Sequence, residues 1–205
     1  FKSIIKSGGR VKGIVVPNAE NYSRKVIDDL TAWLKEQYGA KGLAWMKCID
    51  GKILEGGISK FFDEKTHQNM IKKLKISKNN ILFIIGDSQK IVFSSLGALR
   101  IKTAKQNNLI DENKWSPLWV VDFPLFEWNE DHSRWDSLHH PFTSPNFEDI
   151  ENLDKDPSKV RSLGYDIVMN GYEIGGGSIR IYDKKLQSKI FDLLGISNEE
   201  ANEKF

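Results

Sequence analysis

Residues 165–181 read YDIVMNGYEIGGGSIRI, two apolar-rich runs on either side of Asn170-Gly171. Asn-Gly accepts positive φ at both central positions of a two-residue turn, so this stretch is constrained to an antiparallel hairpin. The hairpin sets Asp166 and Glu173 on adjacent strands, a few residues from the turn. Its second strand holds three consecutive glycines, Gly175, Gly176 and Gly177, where glycine weakens a strand. They mark either a bulge or bend, or a strip on which a ligand lies directly against backbone. By period-two alternation Glu173, Gly175, Gly177 and Ile179 share one face, and Ile174, Gly176, Ser178 and Arg180 the other. A bulge would swap that parity, so the face of Arg180 stays open at this level.

An acid and a guanidinium bracketing a bare strip suit a ligand with a cationic and an anionic end. Arginine is the side chain that grips a carboxylate through two parallel hydrogen bonds. Asp166 and Glu173 are either surface charges or a pair of oxygen ligands for a magnesium ion shared with substrate phosphates. A second constellation is LHHPFTSP, residues 138–145. Adjacent histidines in an extended chain point opposite ways, and no Cys or acid stands at ligand spacing, so a zinc site is not expected. His139 and His140 are satisfied loop residues or donors to a substrate, in a loop stiffened by Pro141 and Pro145.

The 205 residues fit one large domain or two small ones, and the second half reads differently from the first. In the first half, a strand over 11–18 precedes a helix capped by Ser23, with Val26, Ile27, Leu30 and Leu34 as its stripe and Gly39 as its stop. A strand over 42–49 leads into an Asp50-Gly51 hairpin. A helix over 60–75 places Phe61, Phe62, Ile71 and Leu74 in the core. NILFIIGD (80–87) is a fully buried strand, followed by a helix from about Ser88 to Gln106. This pattern fits a small α+β or α/β module. In the second half WVVDFPLFEW and SIRIYD read as strands around the hairpin. A helix capped by Asp183 then presents Leu186, Ile190, Leu193 and Leu194, with Gly195 ending it, and Ser197 with Glu200 forms a capping box.

Net charge is +2 and hydrophobic residues make up 40%, which excludes a global polyanion-binding field and predicts neither DNA nor membrane as partner. The only cysteine, Cys48, sits in the apolar run LAWMKCI and is expected to be a buried thiol in a reducing compartment. No apolar run reaches the roughly 20 residues of a membrane helix, and no signal peptide is expected.

The ordered set WVVDFPLFEW, HHPFTSP, YDIVMNGYEIGGGSIRI and LLGISNEEANEKF resembles the later catalytic part of bacterial-type aspartyl-tRNA synthetases of class II. SGGRVKGIVVPN, YGAKGLAW and GALRIK resemble the GAD insertion domain of the same family, a module found also in a subunit of tRNA-dependent amidotransferases. The resemblance implies an α+β fold: a GAD-type module over 1–116, then part of an antiparallel sheet with flanking helices over 117–205. It implies a cytoplasmic homodimer that joins aspartate to ATP as aspartyl-adenylate and passes it to tRNA(Asp), with tRNA(Asn) as a further acceptor left open. It implies that His139, His140 and Arg180 hold aspartate, that Glu173 and Asp166 hold ATP through Mg2+, and that Gly175, Gly176 and Gly177 form the floor beneath the adenylate. Without an initiating methionine, and with a helix announced at its end, the chain is expected to be an inactive piece of the parent with exposed sheet edges in its second half. The rival expectations are a non-catalytic GAD-type RNA- or protein-binding module, against which HHPF and EIGGGSIR argue, and a class II relative handling asparagine or lysine, against which the GAD-like half argues.

Overall fold

The computed structural model describes residues 1–204; Phe205, which closes the LLGISNEEANEKF stretch, lies outside the described residues. The chain forms two compact units, Phe1–Asp111 and the remainder from Glu112. The boundary expected between residues 116 and 117 falls a few residues later, immediately before the first strand of the second unit.

The first unit begins with the short helix α1 (Lys2–Lys6) and contains strands β1 (Arg10–Pro17), β2 (Ala44–Cys48), β3 (Leu54–Glu55) and β4 (Asn80–Asp87). They form one sheet in the order β1-β4-β2-β3, with every pairing antiparallel. Of the two readings left open for this half, the α+β one therefore describes it. β4 is interior because its side chains are apolar on both faces: Ile81, Phe83 and Ile85 pack on one side and Leu82 on the other. Helices α2 (Arg24–Tyr38) and α4 (Gln89–Gln106) cover the first side with Ile27, Leu30, Leu34, Val92 and Leu99. Helix α3 (Glu64–Leu74) faces the other side, where Met46, Cys48, Leu54 and Leu82 are buried. Cys48 is fully buried, and that burial pushes its thiol up from its ordinary range, so it is a poor thiolate.

Local signals set the helix ends. Ser23 Oγ accepts from the Val26 N–H at 3.4 Å, and Gly39 closes α2 with φ +70°. The helix expected over 60–75 is a correction. A 3-10 turn over Ser59–Phe61 is separated from α3 by extended backbone at Phe62, and Asp63 caps the new start at 2.8 Å from Thr66 N. The two pieces share no helical face. Phe61 and Leu74, expected in the core, are exposed, Phe62 and Ile71 pack on it, and His67 is buried.

The second unit contains β5 (Pro117–Val121), β6 (Phe126–Asn129), β7 (Arg134–Ser137), β8 (Gly164–Met169) and β9 (Tyr172–Ser178), with helices α5 (Asn152–Lys155), α6 (Lys184–Leu193) and α7 (Asn198–Lys204). β5-β8-β9 form an antiparallel sheet, and β6 pairs only with β7. WVVDFPLFEW is thus two strands rather than one. Asp122 adopts φ +58° and Pro124 follows, which ends β5 and redirects the chain into β6. Leu125, Phe126, Leu153, Val160, Ile190 and Leu194 form the core. Asp183 caps α6 at 2.7 Å from Leu186 N, and Ser197 Oγ accepts from Glu200 N at 3.1 Å. β5 and β9 are the sheet edges, and Leu118, Trp119, Val121, Tyr172 and Ile174 are exposed along them. Among the described residues no helix is long and apolar enough to cross a membrane.

Candidate active site

Asn170 and Gly171 have φ +51° and +88°, the conformation that a two-residue turn between β8 and β9 requires. Beyond the turn Met169 pairs with Tyr172 and Val168 with Glu173, but Ile167 then pairs with Gly175, Asp166 with Gly176 and Tyr165 with Gly177. Ile174 is therefore an extra residue, a bulge, and simple alternation fails across it. Paired residues share a face. One face carries Asp166, Val168, Glu173 and Gly176, and the other Tyr165, Ile167, Gly175 and Gly177. Glu173 pairs with Val168 on the turn side of the bulge and shares the Asp166 face either way; what the bulge sets is that Gly176 rather than Gly175 pairs with Asp166.

The three glycines differ. A Cβ at Gly176 would collide with Asp166 Oδ1, so the bare backbone lets that carboxylate lie across β9. A Cβ at Gly177 would stand 2.9 Å from the Tyr165 hydroxyl, on the other face. At Gly175 the nearest atom is Ile167 Cγ2 at 3.7 Å, an ordinary contact. Of the expected floor, only Gly176 lies on the carboxylate face, and there the Asp166 side chain covers it.

Past β9 the chain pairs with the HHPFTSP loop. Ser144 N donates to Ile179 O at 2.8 Å, Ile181 N donates to Phe142 O at 2.9 Å, and Thr143 bridges Arg180. This pairing brings Arg180 Nη1 to 2.8 Å from His140 Nδ1. Among the described residues no carboxylate pairs with Arg180, so its charge is held by a neutral acceptor and stays free for an anion. Burial, then Arg180 and His139, push the His140 pKa below its ordinary value and keep the ring neutral. His139 is exposed, with its ring edge-on to Phe123 at 4.8 Å. A Cβ on Gly164 would lie 3.7 Å from His139 Cε1. Gly164 pairs with Ser178 on the Asp166 side, so both histidines reach that side because the loop turns rather than runs extended.

Sequence reasoning missed Thr143, Ser178, Phe123 and Arg161. Thr143 is 1% exposed and stands between His140 and the Ser178 hydroxyl, 3.4 Å from each. Arg161 is fully engaged by acids: Asp149 at 2.7 Å, Glu148 at 3.1 Å and Asp122 at 3.7 Å. It ties the turn after the histidine loop to the end of β5, next to Phe123. The side-chain hydrogen bond from Arg161 holds the Asp149 carboxyl well below the usual range and in turn raises the guanidinium pKa. No sequence signal marked it, because its partners are scattered along the chain.

The family described as tRNA synthetases class II (D, K and N) matches residues 17–205. The chain belongs to that family. Similar proteins within it are the aspartate–tRNA(Asp/Asn) ligase of Caldanaerobacter subterraneus subsp. tengcongensis, 47% identical, and the aspartate–tRNA ligases of Halalkalibacterium halodurans and Staphylococcus epidermidis, 50% and 48% identical. Each comparison covers the whole chain but only 34% to 35% of the relative, so the chain spans about a third of their length. The family match and these relatives span both halves of the chain and do not favour the amidotransferase reading.

Asp166 and Glu173 present the oxygen donors that a hard cation such as magnesium takes. They are two oxygen-only donors on one face of one hairpin, with the Asp166 carboxylate laid over a strand that has no Cβ beneath it. Among the described residues no group of three or more His, Cys, Asp or Glu could hold a metal by itself.

Proposed function

We propose that the chain carries part of the adenylate-forming site of an aspartate–tRNA ligase, with residues 1–116 as its GAD insertion domain. The observation that carries this reading is the shared face of the β8–β9 hairpin. Glu173 and Asp166 share it, the Asp166 carboxylate lies over the bare backbone of Gly176, and an arginine free of acids lies beyond the end of β9. Arg180 grips the side-chain carboxylate of aspartate with its guanidinium fork, and asparagine, an amide, offers no charge to that fork. His139 flanks the amino acid, and His140 stands behind Arg180. Asp166 and Glu173 hold the ATP phosphates through Mg2+, which when bound neutralises phosphate charge. The bare backbone at Gly176 leaves the Asp166 carboxylate room to lie over β9, while Gly177 makes room for Tyr165 on the opposite face.

In the first step an oxygen of the aspartate α-carboxylate attacks the α-phosphorus of ATP, and the bond to pyrophosphate breaks. In the second the 3′-terminal hydroxyl of the tRNA attacks the acyl carbon and AMP leaves. No side chain bonds to the substrate, so positioning and fixed charge carry the rate. By the same kinship the enzyme is a cytoplasmic homodimer charging tRNA(Asp), and the two names borne by the relatives leave tRNA(Asn) as a second acceptor to be tested.

The test is aspartate-dependent ATP–pyrophosphate exchange by the whole gene product that carries these residues. Exchange is expected with aspartate and not asparagine, and Arg180→Ala should lower kcat/KM for aspartate by about a hundredfold or more. These 205 residues alone are expected to be silent. A gene product that exchanges no pyrophosphate with aspartate would refute the assignment.

A further inference from the structure

We propose that His140 is the positioning residue of Arg180, acting through Nδ1 rather than touching the amino acid through Nε2. The inference rests on Arg180 being the carboxylate grip.

Two donors converge on His140 Nδ1, Arg180 Nη1 at 2.8 Å and the backbone N–H of Phe142 at 3.2 Å, and Thr143 Oγ1 stands 3.4 Å from it. A guanidinium and a backbone N–H can only donate. Nδ1 is therefore an acceptor, the ring proton sits on Nε2, and the tautomer is fixed by the surroundings. The ring is held from its own loop by Phe142 and Thr143, and it holds Arg180 in turn. The loop is anchored as well, since Thr143 is almost fully buried and bridges the backbone of Arg180.

The choice of holder has a chemical consequence. A carboxylate in the place of His140 would orient the guanidinium equally well but would neutralise it and repel an incoming carboxylate. A neutral imidazole orients it and leaves the full positive charge for the ligand. Arg161, locked among Asp149, Glu148 and Asp122, shows the opposite arrangement in the same unit: an arginine spent on structure.

The two nitrogens of an imidazole can be replaced one at a time. Asparagine sets an amide oxygen near the Nδ1 position, and glutamine sets its amide near the Nε2 position. In the whole gene product, His140→Asn should keep the aspartate KM within about threefold of the parent, whereas His140→Gln should raise it by about tenfold or more, with the KM for ATP nearly unchanged. In an Arg180→Ala background His140→Gln should add less than about twofold, because the two residues act as one unit. Circular dichroism melts of every variant separate these effects from unfolding. If Gln retains function and Asn loses it, the ring acts on substrate through Nε2 and the proposal is wrong. It is equally overturned if both variants match the parent, or if both are impaired alike. An Arg180→Ala enzyme with unchanged aspartate KM would remove the carboxylate grip itself, and this inference with it. A strong Arg180→Ala effect beside a harmless His140→Gln would remove this inference alone.

Discussion

At Gly176 a missing side chain serves a neighbour within the protein. The Asp166 carboxylate occupies the space a Cβ would need, so Gly176→Ala should displace it and raise the KM for Mg-ATP in the exchange assay. Gly177→Ala should lower the melting temperature by pushing on the Tyr165 ring, while Gly175→Ala, with its neighbour at 3.7 Å, should cost less stability than either. His140 adds a pH dependence. Its pKa is depressed by burial, by Arg180 and by His139, so the ring stays neutral in the fold below the ordinary 6.5 at which the unfolded chain takes up its proton. The folded state is thus favoured above 6.5 and loses that advantage as pH falls through the depressed folded value. Across the same window protonation turns Nδ1 into a donor facing the guanidinium, so the aspartate KM should climb on acidification and be flat on the alkaline side. A KM that is flat throughout the acid range would contradict this. The candidate residues stood out in the sequence, because arginine, paired acids and a glycine run each name a chemistry. Their mutual arrangement was not. The use of His140 Nδ1 depends on a bridge between Thr143 and Arg180 that no local pattern announces.

Among elements, the hairpin shows where local signals suffice and where they stop. Asn170-Gly171 located the turn, and Ser23, Gly39 and Asp183 located helix ends, because each acts on backbone groups within a few residues. The bulge at Ile174 needs knowledge of which residue pairs across the ladder, and that is set by the whole sheet. Deleting Ile174 should restore simple alternation and leave Glu173, Gly176 and Asp166 on one face, because the pairs on either side of the bulge are unchanged. Pyrophosphate exchange should then fall less than in Glu173→Ala, and a loss as large would show that the bulge itself serves the site. β4 offers the stability counterpart. Phe83 is fully buried at the centre of the first sheet, with its ring 5.4 Å from that of Tyr22, so Phe83→Ala should cost about 3–5 kcal/mol in denaturant unfolding. Phe61 and Leu74 were misread as core because a 3.6-residue period was carried across Phe62, where the backbone is extended. Phe61→Ser should accordingly change stability by less than about 0.5 kcal/mol.

The molecule as a whole has two units with separate cores, each drawn from a continuous stretch of chain. The sequence announced the change of style between them, though not the residue at which it falls. Residues 1–111 close a four-stranded sheet between helices using only their own side chains. Expressed alone, this segment should unfold in one cooperative transition, and a broad, non-cooperative melt would mean that its core is not self-sufficient.

That continuity bears on how the chain is made. Once a ribosome has released residues through Asp111, the first sheet has every strand it will use, while the acids and the arginine of the site are still unsynthesised. The first unit can therefore finish folding before the second begins, which keeps the apolar strand β4 out of reach of the later strands β5, β8 and β9. Vectorial synthesis thereby separates in time two sets of antiparallel strands whose exposed edges would otherwise compete for partners.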